Sequence, residues 1–466
     1  MKIVAAELEE VKAMGENLYS IVAKFVIIPA LEAVHGWKTV ERLKELEKTQ
    51  WLKEEELKKM QELRLIKLIK HAYENVPYYH RMFKERGLKP EDIKTTKDLA
   101  KLPVLTRDDI RKNFDDLTAK NYDQKKMVLA STGGTTGEPL KFYRPKDRGW
   151  ANAAWYRALR WYGFEIGDKH AYLWGNPFDA SAQSKLSQRI GRFLRRTIFL
   201  DAFQMSEEKM KRFSYKLRNF KPKVIIAYAS AAYLLAEFLK TESIVINPEA
   251  VVTTAEKLFD HQRETIRDVF QCEVFEYYGS REVSSMAYEC PNHTGLHISA
   301  EHVVLEFVKN GSEPVSSGEL GTILVTDLHN YAMPFIRYQN GDIGTSSDEY
   351  CTCGRNLPLI KSIEGRITDI IVSGKGKFIS SPVLTVLFKD LPIRQYQVVQ
   401  KKENKILIKI VKENGYSEKD SRTVIRRLRQ GVSEKIEIRL EFVKSIPATI
   451  SGKRRVVISK VPIKFT

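Results

Sequence analysis

The sequence has few cysteines, no uninterrupted apolar run of membrane-spanning length and no segment of low complexity. Four cysteines among 466 residues exclude the dense disulfide framework of small secreted proteins. No signal-peptide pattern opens the chain, since its first residues lack a basic segment followed by an apolar one. These absences indicate a folded protein of a reducing compartment, which we interpret as cytoplasmic.

Residues 18–34 form the one stretch that suggests contact with a membrane. Lys24 interrupts this apolar run, Pro29 would bend a helix there, and the run is barely long enough to span a bilayer. We therefore expect an N-terminal helix that either packs on the protein body, which is the preferred interpretation, or lies on a membrane face.

Three catalytic signatures are also absent. The sequence contains neither a Gly-x-Ser-x-Gly elbow nor a His-Glu-x-x-His motif. The Gly-rich stretch STGGTTGEP (131–139) is not a Walker loop, because Glu138 and Pro139 follow Gly137 where that loop has Lys and Ser or Thr. The sequence therefore carries no motif for serine-hydrolase, zinc-protease or P-loop chemistry.

Positive charge exceeds negative charge in this chain. The 77 Lys and Arg residues against 59 Asp and Glu residues give a net charge of +18, which suits an anionic ligand such as a nucleotide, a nucleic acid or a membrane surface. The basic residues are dispersed and form no long tail. We therefore do not expect nucleic acid as a partner.

The length and the residue patterns divide the chain into three parts. A chain of 466 residues exceeds the size at which one core stops growing. Residues 1–75 repeat apolar positions at helical spacing and predict a helical extension that packs on a large domain. Residues 76–368 alternate strand-like and helical segments, and residues 369–466 predict a small α+β domain. The predicted fold class is α/β.

Four polar segments carry candidate chemistry. The Gly- and Thr-rich loop at 131–139 could wrap phosphate with backbone N–H groups, and Glu282 follows a predicted strand and could hold Mg²⁺ on a phosphate. Asp342 lies in a predicted Gly-flanked turn, where its carboxylate could accept hydrogen bonds from ribose, and Lys453 lies in a Ser-Gly turn near the C-terminus. Each segment alone is equally consistent with an ordinary turn, cap or solvated charge.

Taken together and in order, these segments resemble the adenylate-forming superfamily of acyl-CoA synthetases, adenylation domains and luciferases. The matching motifs are TGGTTGEP, YGSRE, NGDIG, GRITD and SGKRR, and they extend over nearly the whole chain. Residues 71–114 and the YGSRE turn are most similar to the phenylacetate-CoA ligase branch. The longer N-terminal helix and the stretch STGGTTGEPLKFYR are most similar to its CapK-like members.

The resemblance implies a large adenylation domain, a small mobile C-terminal domain and a set of site residues. Glu282 would bind Mg²⁺, Asp342 and Arg366 would hold the ribose of ATP, and Asp369 would be the hinge between the domains. Lys453 would bridge the substrate carboxylate and the α-phosphate. The β- and γ-phosphates would be wrapped by Thr132, Gly133, Gly134, Thr135, Thr136 and Gly137, and further nucleotide contacts would come from Ala255, Glu256, Tyr278, Gly279 and Ser280.

The implied activity is ATP-dependent conversion of a carboxylic acid, aryl acids included, to an acyl-adenylate, followed by transfer to coenzyme A. The alternative acceptor is an amine, a hydroxyl or a carrier, as in capsular polysaccharide or secondary metabolism. The expected cofactors are ATP, Mg²⁺ and CoA, and a homodimer is a further interpretation. The aromatic stretch WANAAWYRALRWYGF (150–164) fits either an aryl pocket or a helix core.

A structural zinc site is the second candidate. Cys290 and His293 form a Cys-x-x-His pair, and Cys351 and Cys353 form a Cys-x-Cys pair, which together supply the four soft ligands of tetrahedral Zn²⁺. The alternative is buried free cysteines, as we expect for Cys272. His297 and His302 lie nearby in the sequence, and both a structural role and a substrate-facing role are consistent with their positions.

Overall fold

The computed structural model describes most of the chain, with gaps. The described residues are 18–132, 140–174, 186–202, 205, 207–366, 370–372, 378–380, 384, 388, 391–431, 436–447, 456–459 and 461.

The N-terminal part is helical, as its apolar spacing predicts. The helix across the apolar run passes through a π-helical turn at Ala23–Ile27, directly before Pro29, whose missing N–H interrupts regular α-helical bonding. Ala23 and Ile28 are buried in one cluster with Leu43 and Ala154. No helix among the described residues is long and apolar enough to cross a bilayer. The helices of this part are α1 (Leu18–Val22), α2 (Ile28–His35), α3 (Thr39–Thr49), α4 (Glu54–Asn75) and α5 (Pro77–Glu85).

A short connecting region follows these helices and reaches the main sheet. Thr106 caps α6 (Arg107–Lys112), because its Oγ1 accepts a hydrogen bond from the backbone N–H of Asp109. One residue earlier, Leu105 forms a parallel bridge with Tyr338. Strands β1 (Met127–Ser131) and β2 (Lys141–Pro145) then pair antiparallel on either side of the Gly-rich loop.

The centre of the molecule is a sheet of twelve strands within the described residues. Its order is β11-β10-β12-β13-β14-β9-β8-β7-β6-β5-β3-β4, with parallel pairing from β4 to β7 and antiparallel pairing from β7 to β11. The strands are β3 (His170–Trp174), β4 (Thr197–Asp201), β5 (Val224–Tyr228), β6 (Ala250–Thr254), β7 (Glu273–Tyr278), β8 (Ala287–Glu289), β9 (Leu296–Ile298), β10 (Val303–Lys309), β11 (Glu313–Pro314), β12 (Leu320–Asp327), β13 (Tyr338–Ser347) and β14 (Leu359–Arg366).

Helices cover both faces of the parallel part. Successive residues of β5 alternate between two cores: Ile225 and Ala227 pack into one core, and Val224 and Ile226 pack into the other. The first core contains α9 (Glu207–Phe220), α10 (Ala229–Thr241) and α11 (Asp260–Phe270), and the second contains α7 (Gly149–Trp161). A further helix, α8 (Leu186–Leu194), precedes β4. The carboxyl ends of the parallel strands remain as the edge where a site can form.

A buried ion pair joins the N-terminal helices to this assembly. Arg157 Nη1 donates to Glu301 Oε1 at 2.6 Å, and both side chains are 0% exposed. The Thr49 hydroxyl donates to the same carboxylate oxygen, and the Leu46 carbonyl accepts a second bond from Arg157. Helix α3 thus contributes polar groups to the interior.

A small α+β unit follows the main sheet. Its four strands have the order β19-β18-β17-β20, with an antiparallel central hairpin and parallel outer pairs. The elements are β15 (Ile370–Val372), β16 (Phe378–Ser380), β17 (Ile393–Lys402), β18 (Lys405–Lys412), α12 (Glu418–Gly431), β19 (Glu437–Phe442) and β20 (Val457–Ser459). These strands and this helix have the α+β pattern that the sequence predicts for the region, and the predicted α/β fold class is confirmed.

Candidate functional site

The turn after β7 positions Glu282. Gly279 is required there, because a Cβ atom at this position would lie 2.5 Å from the Tyr277 hydroxyl oxygen. The Ser280 hydroxyl accepts a hydrogen bond from the Val283 N–H at 3.0 Å and closes the turn. The carboxylate of Glu282 is carried to the edge of the sheet at the carboxyl end of β7.

The Glu282 carboxylate is held by a phenol and a guanidinium. Tyr338 donates to Glu282 Oε1 at 2.8 Å, and Arg107 Nη2 lies 3.4 Å from the same oxygen. Burial alone would lower the pKa of Arg107, but the facing Tyr338 and Glu282 raise it above its usual value. Burial, with the Glu282 charge, raises the pKa of Tyr338 well above normal, so this phenol remains a donor.

Asp342 lies beside this group but not in a turn. The sequence predicts that a strand ends before Asp342, whereas β13 continues through this residue to Ser347. The positive φ of Gly341 and the register shift beyond Ile343 are the local irregularities that the strand contains there. Asp342 Oδ2 accepts hydrogen bonds from the Tyr278 hydroxyl at 3.0 Å and from Asn340 Nδ2 at 2.9 Å.

Arg107 contacts both Glu282 and the backbone beside Asp342, and no motif in the sequence points to it. Besides contacting Glu282 and Tyr338, its Nη2 donates to the Asn340 carbonyl at 3.2 Å. The bridge between Leu105 and Tyr338 carries the start of α6 to this place. The only local signal was the capping pattern at Thr106, which predicts a helix start and not a contact with residues more than 170 positions later.

The Gly-rich loop is described only at its two ends. Thr132 is buried, and it closes the loop through hydrogen bonds between its N–H and the Leu140 carbonyl and between its hydroxyl and the Leu140 N–H. Leu140 belongs to the same hydrophobic core as Tyr278 and Val283. The predicted phosphate contacts that lie outside the described residues are Gly133, Gly134, Thr135, Thr136 and Gly137.

The remaining predicted site residues lie near the same edge of the sheet or outside the described residues. Ala255 follows β6 with a positive φ of 66°. Glu256 Oε2 accepts a hydrogen bond from the Ser230 N–H at the start of α10, so its carboxylate also has a structural role. Arg366 ends β14 opposite Asp342 in the strand register. Asp369 and Lys453 lie outside the described residues.

A second cluster joins three cysteines and one histidine. The potential ligand atoms of Cys290, His297, Cys351 and Cys353 all lie within 4.8 Å of one another. The sulfur atoms of Cys290 and Cys351 are 3.5 Å apart, and Cys353 Sγ is 3.3 Å from His297 Nε2. A tetrahedral zinc ion with bonds of about 2.0–2.3 Å separates its ligand atoms by roughly 3.5–3.8 Å. The four residues therefore fit this ion.

The histidine in this cluster differs from the predicted one. The sequence predicts His293 as the ligand, but its Nδ1 is 2.8 Å from Glu289 Oε1 and its ring stacks on Phe275. Strand β9 brings His297 to the cysteines, and its Nδ1 donates to the Leu357 carbonyl. This bond leaves Nε2 with a lone pair directed to the cluster, and burial lowers the pKa of His297 to about 4.

Comparisons with known proteins place the chain among adenylate-forming ligases. The phenylacetate-coenzyme A ligase of Escherichia coli (strain K12) is 30% identical over 336 residues, which cover 68% of this chain and 73% of that protein. The chain belongs to the phenylacetate-CoA ligase family. The family resemblance predicted from the five motifs is therefore confirmed.

Other relatives are similar to this chain over most of its length. Protein CapK of Staphylococcus aureus is 25% identical over 441 residues, covering 92% of this chain and 93% of that protein, and the CapK C-terminal domain model matches residues 371–460. A crystal structure of 2-hydroxyisobutyryl-CoA ligase in the postadenylation state has the same fold, with a TM-score of 0.70 and 19% identity. That match covers 88% of this chain and 91% of that chain.

Proposed function

We propose that this family member activates a carboxylic acid with ATP to form an acyl-adenylate and then transfers the acyl group to coenzyme A. The observation that carries the proposal is the pair of carboxylates at the sheet edge. Glu282 is fixed by Tyr338 and Arg107, and Asp342 is fixed by Tyr278 and Asn340. A nucleotide triphosphate needs a cation-binding carboxylate at the phosphates and a hydroxyl acceptor at the ribose, and this edge offers both.

The chemistry needs charge neutralisation more than acid–base catalysis. The substrate carboxylate is already an ionised nucleophile, and it attacks the α-phosphorus while pyrophosphate leaves. Mg²⁺ fits Glu282, because a hard cation takes few protein oxygens and shares those of the phosphates, and it would neutralise phosphate charge there. We further propose that Lys453 contacts the carboxylate and α-phosphate and that Thr132 to Gly137 contact the β- and γ-phosphates.

The two half-reactions require different arrangements of the two ends of the chain. We propose boundaries at 1–75, 76–368 and 369–466, with Asp369 as the hinge and Arg366 beside the ribose. Rotation at the hinge would bring Lys453 in for adenylation and remove it for attack by the thiol. Contact of the N-terminal helix with a membrane and homodimer formation stay predictions.

The proposal is tested by ATP–pyrophosphate exchange with a panel of aryl, fatty and sugar acids. We expect exchange that depends on one class of acid, and with CoA present we expect one AMP and one acyl-CoA for each ATP consumed. If no acid in the panel stimulates exchange, the proposed adenylation is wrong.

A different acceptor is the second candidate. The similarity to Protein CapK along more than nine-tenths of both chains, together with the CapK C-terminal domain model at residues 371–460, favours an amine, hydroxyl or carrier as the alternative to CoA. Acid-dependent exchange without acyl-CoA formation would support this candidate. Product analysis with and without CoA separates the two.

We also propose that Cys290, His297, Cys351 and Cys353 bind a structural Zn²⁺ ion. Four protein ligands would close the site to solvent ligands, as in structural zinc centres. The ion would tie the hairpin of β8 and β9 to the segment between β13 and β14.

Metal analysis with two histidine variants tests the zinc proposal. We expect one zinc per purified chain, retention of that zinc in His293→Ala, and its loss in His297→Ala and Cys351→Ser. The zinc-free variants should melt at a lower temperature than wild type, because the free energy of zinc binding stabilises the folded chain. Cys272→Ser, which removes the cysteine outside the cluster, is the control. Purified wild-type protein without zinc would overturn the proposal.

A further inference from the structure

The chain that leaves the Glu282 turn is held from two sides. The Ser284 carbonyl lies 2.9 Å from Nε2 of His302, and the Ser284 hydroxyl accepts a bond from Nη2 of Arg148 at 2.7 Å. The next residue, Ser285, donates its hydroxyl to a backbone carbonyl of α7 at 2.8 Å. The two residues after Val283 are thus attached to the first turn of α7 and to His302.

The contact with Ser284 fixes the tautomer of the His302 ring. A backbone carbonyl only accepts hydrogen bonds, so Nε2 carries the proton and donates. Burial lowers the pKa of His302, against a smaller opposite effect of Asp327, so the ring is neutral and Nδ1 is unprotonated. Asp327 Oδ1 lies 3.9 Å from Nδ1, and this nitrogen has no hydrogen-bond partner in the described part of the chain. The bond to Ser284 is therefore the hydrogen bond that the ring makes there.

The main chain of His302 is fixed to the central sheet. Its N–H donates to the Ser299 carbonyl at 2.8 Å, and its carbonyl accepts from the Leu328 N–H at 3.1 Å. The next residue, Val303, begins β10 and pairs with Asp327 of β12. The donor to Ser284 therefore comes from a rigid part of the fold.

Stacked rings also limit the orientation of the imidazole. The ring of His329 lies nearly parallel to that of His302, with 5.7 Å between the centroids and an angle of 10°. Trp150 of α7 stacks on His329 at 4.3 Å. Since packing of flat rings restricts their rotation, the N–H group of His302 stays directed at the Ser284 carbonyl.

The Glu282 carboxylate depends on how both sides of its turn are held. Before it, the Ser280 hydroxyl closes the turn, and after it Ser284 is the first residue bound to His302. A group that binds a metal ion must be held to within about 0.5 Å, and contacts behind the ligand supply this precision. A shift of Ser284 would move the carboxylate away from Tyr338 and Arg107.

We propose that His302 is a positioning residue, which holds the Ser284 carbonyl and thereby fixes the Glu282 carboxylate where it binds the Mg²⁺ ion of the nucleotide. This inference rests on the proposed function, which takes Glu282 as the ligand of that ion. His302 contacts Ser284 and not the ion, so its effect on metal binding passes through Glu282.

Calorimetric titration with ATP, in Mg²⁺ and in EDTA and without any acid, tests this inference. The measured quantity is the factor by which Mg²⁺ tightens the binding of ATP. We expect His302→Leu to lower this factor by about tenfold or to remove it, because loss of a contact behind a metal ligand lowers metal affinity about 10–100-fold. The dissociation constant of ATP in EDTA should stay close to that of wild type.

Two conservative variants separate the hydrogen bond from the packing of the ring. His302→Gln keeps an N–H donor near the place of Nε2 and should keep most of the factor. His302→Asn carries the same amide on a side chain one methylene shorter, which does not reach Ser284, and should behave like His302→Leu. The asparagine variant decides the inference if His302→Leu does not fold.

A matched control and a double variant complete the experiment. His71 on α4 also directs Nε2 at a backbone carbonyl, that of Tyr331 at 2.9 Å, and His71→Leu should show the wild-type factor. Adding His302→Leu to Glu282→Gln should lower the factor no further, because a positioning residue acts through the group that it positions.

The outcomes separate this inference from the proposed function. A wild-type factor in His302→Leu and His302→Asn, even with a lower melting temperature, would show that His302 is structural only and overturn the inference. A further fall of the factor in the double variant would overturn it too, and in both cases the proposed adenylation stands. If Mg²⁺ does not tighten ATP binding to wild-type protein, the assignment of Glu282 to the metal fails and the inference fails with it.

Discussion

Glu282→Gln is expected to lower the maximal rate of acid-dependent ATP–pyrophosphate exchange by about 10²–10³-fold, the loss seen when one electrostatic group is removed from an active site. Glutamine keeps the oxygen that accepts from Tyr338 and Arg107, so the turn should keep its structure. The change removes the negative charge that would hold Mg²⁺ on the phosphates. Exchange rates measured against Mg²⁺ concentration should show a weaker apparent affinity for the ion.

Two comparisons make the Glu282 result interpretable. Glu264→Gln alters an exposed carboxylate on α11 and should leave the exchange rate unchanged. The melting temperature of Glu282→Gln should stay within about 2 °C of wild type, since the oxygen that accepts from Tyr338 and Arg107 is retained. A Glu282→Gln protein that exchanges at the wild-type rate would contradict the assignment of this carboxylate to the metal.

Arg157→Met is expected to lower the free energy of unfolding by about 3–5 kcal/mol, because it leaves the Glu301 carboxylate buried without its positive partner. Both side chains are 0% exposed, so water cannot take over the role of the guanidinium. Urea denaturation followed by circular dichroism measures the change. The effect is a stability effect, since Arg157 contacts none of the candidate nucleotide residues among its described hydrogen bonds.

The paired variant shows whether the loss comes from the unpaired charge. Arg157→Met combined with Glu301→Gln removes both charges and should recover a part of the lost stability. Arg81→Met breaks the exposed pair with Asp116 and should cost no more than about 1 kcal/mol. If Arg157→Met lowers the free energy of unfolding as little as Arg81→Met does, the interior ion pair does not stabilise the fold as predicted.

The strands and the nucleotide motifs were predictable because their signals are local. Apolar β-branched runs predict β5, β6 and β7, and the turn after β7 follows from glycine and serine at fixed positions. Asp342 was placed in the right segment but in the wrong local structure, since Gly341 suggests a turn and the neighbouring strands extend β13 through it.

The residues that the sequence did not identify depend on long-range pairing. His293 fits a Cys-x-x-His spacing as well as any zinc ligand does, but the pairing of β9 with β8 and β14 decides that His297 faces the cysteines. Arg107 reaches Glu282 only because Leu105 pairs with the start of β13. Neither pairing leaves a signature in the residues that it joins.

The polar contacts of α3 have a consequence for the design of shortened proteins. The sequence predicts that residues 1–75 form a helical extension packed on the large domain, so residue 76 is an obvious place to begin a shortened protein. However, Thr49 and Leu46 supply bonds to the Arg157 and Glu301 pair, and Gln50 Oε1 accepts from Trp161 and Arg355. A protein expressed from residue 76 would expose a buried charge pair and the apolar side of α7. A shortened protein should therefore start before α3, so that this helix stays intact.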